Sequence, residues 1–126
     1  MRKELNRGYF RLARNISRFS DCAFCLGAVI SKKTPISVGF NIIRTHPKYS
    51  NPSTMNTVSI HAEMMALYGS GEDIRGYDIY IYRETSDGIP ALAFPCESCY
   101  NTLKKCGIKK IYYTIGEPPY WKCEKL

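Results

Sequence analysis

The sequence lacks the long apolar run that a membrane protein needs. No segment of its 126 residues approaches the roughly 18 consecutive apolar residues of a membrane-spanning helix, so we expect no contact with a membrane. A secretory signal is missing too, because the basic start, Met1 to Arg7, leads into a periodic segment and not into a continuous apolar stretch. These absences predict a soluble, cytoplasmic protein.

Internal repeats, linkers and low-complexity tracts are also missing. A chain of 126 residues can bury one hydrophobic core but is too short for a second independent one. We therefore expect a single domain over residues 1–126 with one active site.

Acidic residues are few beside basic ones, 11 against 18, which gives a formal net charge of +7. The basic residues concentrate in the first predicted helix and between Lys104 and Lys110. This balance suits an anionic partner, either a nucleotide phosphate or a nucleic acid backbone. A solvated helix face that keeps the protein soluble explains the first cluster equally well, and the two interpretations stay open.

Periodicity and turn residues predict an alternating order of helices and strands. The predicted helices cover Glu4 to Arg18, Val58 to Tyr68 and Cys96 to Lys105, and the predicted strands cover Ala23 to Ile30, Ile36 to Phe40, Tyr77 to Arg83 and Lys110 to Thr114. Residues 41–57 read as a long loop, and residues 89–94 as extended chain. A short strand over Tyr120 to Cys123 should return antiparallel beside Lys110 to Thr114, because four residues cannot hold a crossover helix. The order indicates an α/β fold, a three-layer α-β-α sandwich with a mixed central sheet of about five strands.

Two motifs carry metal-binding groups at helix starts. His61-Ala62-Glu63 opens the second helix, and Pro95-Cys96-Glu97-Ser98-Cys99 opens the third. One histidine and two cysteines make the three-ligand pattern of a catalytic zinc ion, which keeps a fourth position for water, and the positive end of a helix dipole favours thiolates. Zinc lowers the pKa of such a water toward about 7. Glu63, two residues from His61, could take the proton of that water and pass it on without binding the metal.

The six cysteines form two Cys-x-x-Cys pairs and two singles, a spacing that metal chemistry explains better than a disulfide framework in a chain without an export signal. The second pair, Cys22 and Cys25, could take part in another zinc site. Its position at the start of a strand favours buried free cysteines instead. We therefore expect one catalytic Zn²⁺ ion.

His61-x-Glu63 followed by Pro95-Cys96-x-x-Cys99 resembles the cytidine and deoxycytidylate deaminase superfamily, most closely its small phage- or virus-type members. The resemblance covers roughly residues 5 to 116 and implies a hydrolytic deaminase with a cytidine deaminase-like fold. It also implies substrate contacts from Asn41 and from the backbone N–H of Ala62. The loop from Thr114 to Tyr120 would line the substrate entrance, which nominates Tyr113 and Tyr120. Asn41 could instead serve turn geometry alone.

The resemblance favours cytosine, in a nucleoside or nucleotide (cytidine, deoxycytidine, CMP or dCMP), as the base that loses ammonia. The alternative is cytosine or adenine in single-stranded DNA or RNA, for which the basic helix and the aromatic loop would form a groove with stacking platforms. A third hypothesis, a non-catalytic zinc module that binds nucleic acid, leaves Glu63 without a purpose. Relatives often assemble, so a homo-oligomer is compatible with the sequence.

Overall fold

The chain folds around a five-stranded sheet with helices on both sides. A computed structural model describes residues 8–20, 25–43 and 59–126. The helices are α1 (Gly8–Ser17), α2 (Ala62–Gly69) and α3 (Glu97–Lys105). The strands are β1 (Cys25–Ser31), β2 (Pro35–Phe40), β3 (Ile42–Ile43), β4 (Ser59–Ile60), β5 (Asp78–Glu84), β6 (Lys110–Thr114) and β7 (Trp121–Lys125).

The sheet has the strand order β2-β1-β5-β6-β7. Only β5 and β6 are parallel, and α3 forms the crossover between them, as a parallel connection requires. The other three pairs are antiparallel. The predicted mixed sheet of five strands is confirmed, and so is the antiparallel return of the last strand beside β6.

Alternation along the strands separates two apolar layers. Ile79, Ile81 and Ile111 belong to one core with residues of α2 and α3. Val29 and Tyr82, on the opposite face, pack with Phe10 of α1. Because neighbouring residues of a strand point to opposite faces, one helix covers one side and two helices cover the other, which confirms the three-layer sandwich.

Two glycines allow the helices to approach the sheet closely. A Cβ atom at Gly27 would overlap the carbonyl oxygen of Ala13 in α1, and one at Gly39 would overlap the carbonyl oxygen of Ala62 in α2. Since an added methyl group at such a contact forces backbone shifts, these glycines set the distance between each helix and the sheet. The position of α2 matters most, because that helix carries His61 at its start.

The second helix begins later than predicted. The expected helix over Val58 to Tyr68 is wrong at its start, because Ser59–Ile60 forms β4, and α2 starts at Ala62. Strand β4 pairs with Ile42–Ile43, which interrupts the predicted loop with a two-stranded sheet. The β-branched residues on both strands favour this pairing. Val58, Ala23 and the first residues of the predicted N-terminal helix lie outside the described residues.

One edge of the sheet collects the residues that the sequence singled out. The parallel strands β5 and β6 both end there, at Glu84 and Thr114. Strand β2 runs in the same direction, since β1 is antiparallel to both β2 and β5, so Asn41 leaves the sheet at this edge. The pairing of Ile42 with Ile60 brings the start of α2 to the same place.

Within the described ranges, no helix is long and apolar enough to cross a membrane.

Candidate active site

His61 stands at the N-cap of α2, where the chain turns from strand to helix. Its backbone is extended, with φ −79° and ψ 142°, and its side chain makes no capping hydrogen bond to the helix. The side chain of a serine or aspartate at an N-cap usually accepts a hydrogen bond from one of the first backbone N–H groups of the helix. The imidazole is instead available to a ligand, which agrees with the predicted role of His61.

Cys96 and Cys99 occupy the first turn of α3. Cys96 is the N-cap, and its sulfur accepts a hydrogen bond from the backbone N–H of Cys99 at 3.5 Å. Cys96 is exposed, whereas Cys99 is fully buried. The site therefore has one sulfur against the protein core and one on the side of the solvent.

The two helix starts bring the three predicted ligands together. Nδ1 of His61 lies 3.2 Å from the sulfur of Cys99 and 3.7 Å from that of Cys96, and all three ligand atoms lie within 4.8 Å of one another. Tetrahedral zinc, with bonds of about 2.3 Å to sulfur and about 2.0 Å to nitrogen, holds such nitrogen and sulfur atoms about 3.6 Å apart. The donor set and its spacing fit zinc. Among the described residues, this group alone brings three such ligand atoms together.

The thiol of Cys99 needs a positive partner. Burial raises the pKa of this thiol, and the negative charge of Glu63 and the neighbouring sulfur of Cys96 raise it further. A dication held by the three ligands would supply the charge that a buried thiolate requires.

Glu63 is buried in the first turn of α2, with 5% of its surface exposed. Burial raises the pKa of its carboxyl group, while a backbone N–H and the charge of His61 act in the opposite direction. A raised pKa makes the carboxylate a stronger proton acceptor than that of an exposed glutamate. This is the property expected of a group that shuttles protons.

Asn41 and Ala62 lie at the same edge as the metal ligands. Oδ1 of Asn41 accepts a hydrogen bond from the backbone N–H of Leu26 at 2.8 Å, and the backbone N–H of Asn41 donates to the carbonyl of Leu26 at 3.3 Å. The side-chain amide of Asn41 therefore does help to fix the backbone at the end of β2. Ala62 is the first helical residue of α2, so its N–H has no partner within the helix. Their substrate contacts remain predictions.

The two tyrosines lie on different faces of the sheet. Tyr113 is 5% exposed, and its hydroxyl donates to Glu124 of β7 at 3.0 Å. Tyr120 has a positive φ of 73° and packs against the cluster under α1. The structure does not bring these two side chains together, and their contacts with a substrate also remain predictions.

Sequence reasoning missed how the approach to Cys96 is held. Within residues 89–94, which the sequence predicts to be extended, Pro90 forms an isolated bridge to Glu84 and the other residues belong to no strand. The side chains of Thr114 and Arg83 hold Ala91 and Leu92 through hydrogen bonds to their carbonyl groups. No local pattern could have indicated these contacts, because Thr114 is 23 residues from its partner Ala91.

Comparison with known proteins identifies the family. The model of the cytidine and deoxycytidylate deaminase zinc-binding region matches residues 3–115. The chain belongs to this family. The match covers both ligand motifs, so this deaminase is a zinc-dependent hydrolytic enzyme, and His61, Cys96 and Cys99 form the metal site that its structure offers.

Solved structures support the assignment of this deaminase. The dCMP deaminase of the cyanophage S-TIM5 in its apo form is 27% identical, with a TM-score of 0.66 over 91% of this chain and 86% of the phage chain. The complex of that enzyme with dCMP and dUMP matches at 24% identity, with a TM-score of 0.64 over 91% and 84% of the two chains. RibD of Acinetobacter baumannii shares the fold at 24% identity and a TM-score of 0.50, over 82% of this chain and 26% of its own. No curated protein matches the sequence.

Proposed function

We propose that this deaminase converts the cytosine of a nucleotide, with dCMP as the first candidate, to uracil and releases ammonia. The observation that carries the proposal is the convergence of His61, Cys96 and Cys99 at one edge of the sheet, with the buried Glu63 in the adjoining turn. Similarity to a phage dCMP deaminase supports the choice of substrate. Cytidine, deoxycytidine and CMP remain in the same substrate class.

His61, Cys96 and Cys99 would hold the zinc ion through Nδ1 and two sulfurs. When bound, zinc supplies Lewis-acid activation of water at neutral pH. The carboxylate of Glu63 removes one proton from the attacking water and delivers it to N3 of the ring while oxygen bonds to C4. Glu63 then carries the second proton to the amino group, the C4–N bond breaks, and ammonia leaves. Atoms balance as cytosine plus water giving uracil plus ammonia.

The remaining residues would orient the substrate. The N–H of Ala62 points out of the start of α2, where the helix dipole also favours an electron-rich oxygen. Asn41 is anchored to β1 through Leu26, which holds its amide rigidly at the same edge. We propose that Ala62 contacts the base and Asn41 the sugar or ring, and that Tyr113 and Tyr120 contribute to the entrance.

The test is a substrate panel with ammonia release as the readout. It comprises cytidine, deoxycytidine, CMP, dCMP, free cytosine, adenosine and cytosine-containing single strands, each at two salt concentrations. We expect dCMP to give the highest kcat/KM. Activity confined to oligonucleotides and falling steeply with salt would instead support the single-stranded DNA or RNA alternative. Assembly into a homo-oligomer and a cytoplasmic location stay predictions, and size-exclusion chromatography of the same sample tests the first.

A further inference from the structure

The backbone that leads into the metal ligand Cys96 is tied to the ends of two strands. The N–H of Ala91 donates to the carbonyl of Arg83 at 2.9 Å, at the end of β5. The N–H of Ala93 donates to the carbonyl of Thr114 at 3.0 Å, at the end of β6. These two bonds hold residues 91–93 beside the ends of β5 and β6, shortly before Pro95 and Cys96 in the chain.

Two side chains add bonds to the same stretch of backbone. The hydroxyl of Thr114 donates to the carbonyl of Ala91 at 2.7 Å and accepts from the N–H of Arg83 at 3.1 Å. Nη1 of Arg83 donates to the carbonyl of Leu92 at 3.0 Å. Thr114 is fully buried, so water cannot replace its hydroxyl in this junction of three chain segments.

Cys96 depends on this stretch more than the other ligands do. Cys99 lies within α3 and is fully buried in the core, so the packing of the helix positions its sulfur. Cys96 is exposed and precedes the helix, with extended backbone at φ −63° and ψ 163°. Phe94 and the rigid Pro95 connect Cys96 to the tied residues, so we expect a shift of Ala93 to move the sulfur of Cys96.

We propose that Thr114 is a positioning residue for the zinc site. Its hydroxyl holds residues 91–93 and thereby keeps the sulfur of Cys96 close enough to His61 for both to bind the same zinc ion. The inference rests on the metal site of the proposed function. It adds a buried hydroxyl on β6, a strand that carries no metal ligand, to the groups that determine the geometry of the site. Groups that orient metal ligands from outside the ligand set commonly change metal affinity by about 10-fold to 100-fold when they are removed.

The test compares Thr114→Val, which keeps the shape of the side chain but loses the hydroxyl, with Thr114→Ser, which keeps the hydroxyl. Zinc affinity is measured by competition with a chelator, and the absorption spectrum of the cobalt-substituted protein reports the thiolate ligands and their geometry. We expect Thr114→Val to bind zinc about tenfold more weakly, with an altered cobalt spectrum. Thr114→Ser should restore both values toward those of the original protein.

Thr102→Val is the matched control. Thr102 donates its hydroxyl to the carbonyl of Ser98 within α3 at 3.0 Å, so this variant loses a bond of the same kind without touching residues 91–93. We expect its zinc affinity to stay within about twofold. If Thr114→Val fails to fold, Arg83→Met removes the bond to Leu92 and should lower zinc affinity in the same direction by a smaller factor.

The outcomes separate the two levels of the proposal. If the unaltered protein fails to bind zinc, the metal site and the role of Thr114 both fall. If it binds zinc and Thr114→Val does so equally well with an unchanged cobalt spectrum, only the positioning role is overturned. An equal loss in Thr114→Val and Thr102→Val would also overturn it, because the effect would then not depend on residues 91–93.

Discussion

Nδ1 of His61 lies 3.2 Å from the sulfur of Cys99, although 38 positions separate the two residues in the chain. Each side chain belongs to the start of a different helix, α2 or α3. A metal ion held by both would therefore link the two helices as well as supply the chemistry. This relationship underlies the first two predictions.

Replacing Cys99 with alanine should abolish stoichiometric zinc binding and activity. The two remaining ligands, one of them exposed, are too few for a stable catalytic site. Zinc should raise the thermal midpoint of the unaltered protein and leave that of Cys99→Ala unchanged, because a ligand that binds only the folded state stabilises it by about 2.7 kcal/mol at 100 times its dissociation constant. Metal analysis and calorimetry measure both effects. Cys123→Ala, at an exposed cysteine of β7, is the control and should bind zinc normally.

Zinc affinity should rise with pH. Burial raises the pKa of the Cys99 thiol, so this group carries a proton near neutral pH until the metal displaces it. Since binding releases that proton, a higher pH favours the complex, by about tenfold per pH unit for each proton released. Competition titrations with a chelator between about pH 6 and pH 8 measure the slope of the logarithm of zinc affinity against pH. In this range the thiol stays protonated without metal. A flat profile, after correction for the chelator's own protonation, would contradict a protonated Cys99.

Glu63→Gln should keep the zinc and lose the catalysis. Glutamine has the shape of glutamate but cannot carry protons between water, ring and amine, and a general acid–base group contributes about 10²-fold to 10⁴-fold to a rate. We expect kcat to fall within that range while zinc content and the thermal midpoint are maintained. If the variant kept more than a tenth of the activity, Glu63 would not be the proton-transfer group. If the variant lost its zinc, Glu63 would instead belong to the metal site.

Gly39→Ala should destabilise the protein and disturb the site. Its Cβ would lie 2.5 Å from the backbone nitrogen of Ala66 and 3.0 Å from Cβ of Met65, which pushes α2 away from the sheet. Such overpacking typically lowers the free energy of unfolding by about 1–3 kcal/mol. Urea denaturation measures this change, and zinc titration measures the effect on His61. Gly116→Ala is the control for stability, because the nearest atom to its Cβ, the carbonyl oxygen of Pro90, is 3.9 Å away.

Asn41→Asp separates the structural role of Asn41 from its proposed contact with the substrate. Aspartate can still accept the hydrogen bond from the N–H of Leu26, but it loses the amide donor. If the amide contacts the substrate, KM should rise about tenfold, the value of one hydrogen bond of roughly 1.4 kcal/mol, with a smaller change in kcat. An unchanged KM in a folded variant would leave Asn41 with its role at the strand end only.

Much of the fold could be read from local patterns. Strand β6 has the predicted bounds, and α3 begins one residue later than predicted and ends where predicted, because alternation and helix-stopping glycines act over a few residues. The start of α2 could not be placed in the same way. Ser59–Ile60 becomes a strand only through its pairing with Ile42–Ile43, and two residues are too few to show an alternating pattern of their own.

The sequence by itself determined the donor set, one histidine and two cysteines with a glutamate beside the histidine, because metal chemistry and proton transfer require particular side chains at short spacings. The tertiary structure decided that Nδ1 of His61 faces both sulfurs and that Cys99 is buried while Cys96 is exposed. It also decided that Thr114, on a separate strand, supports the approach to Cys96. These features depend on how α2, α3 and β6 meet at one edge of the sheet, and contacts between distant segments leave no periodic or spacing signal in the chain.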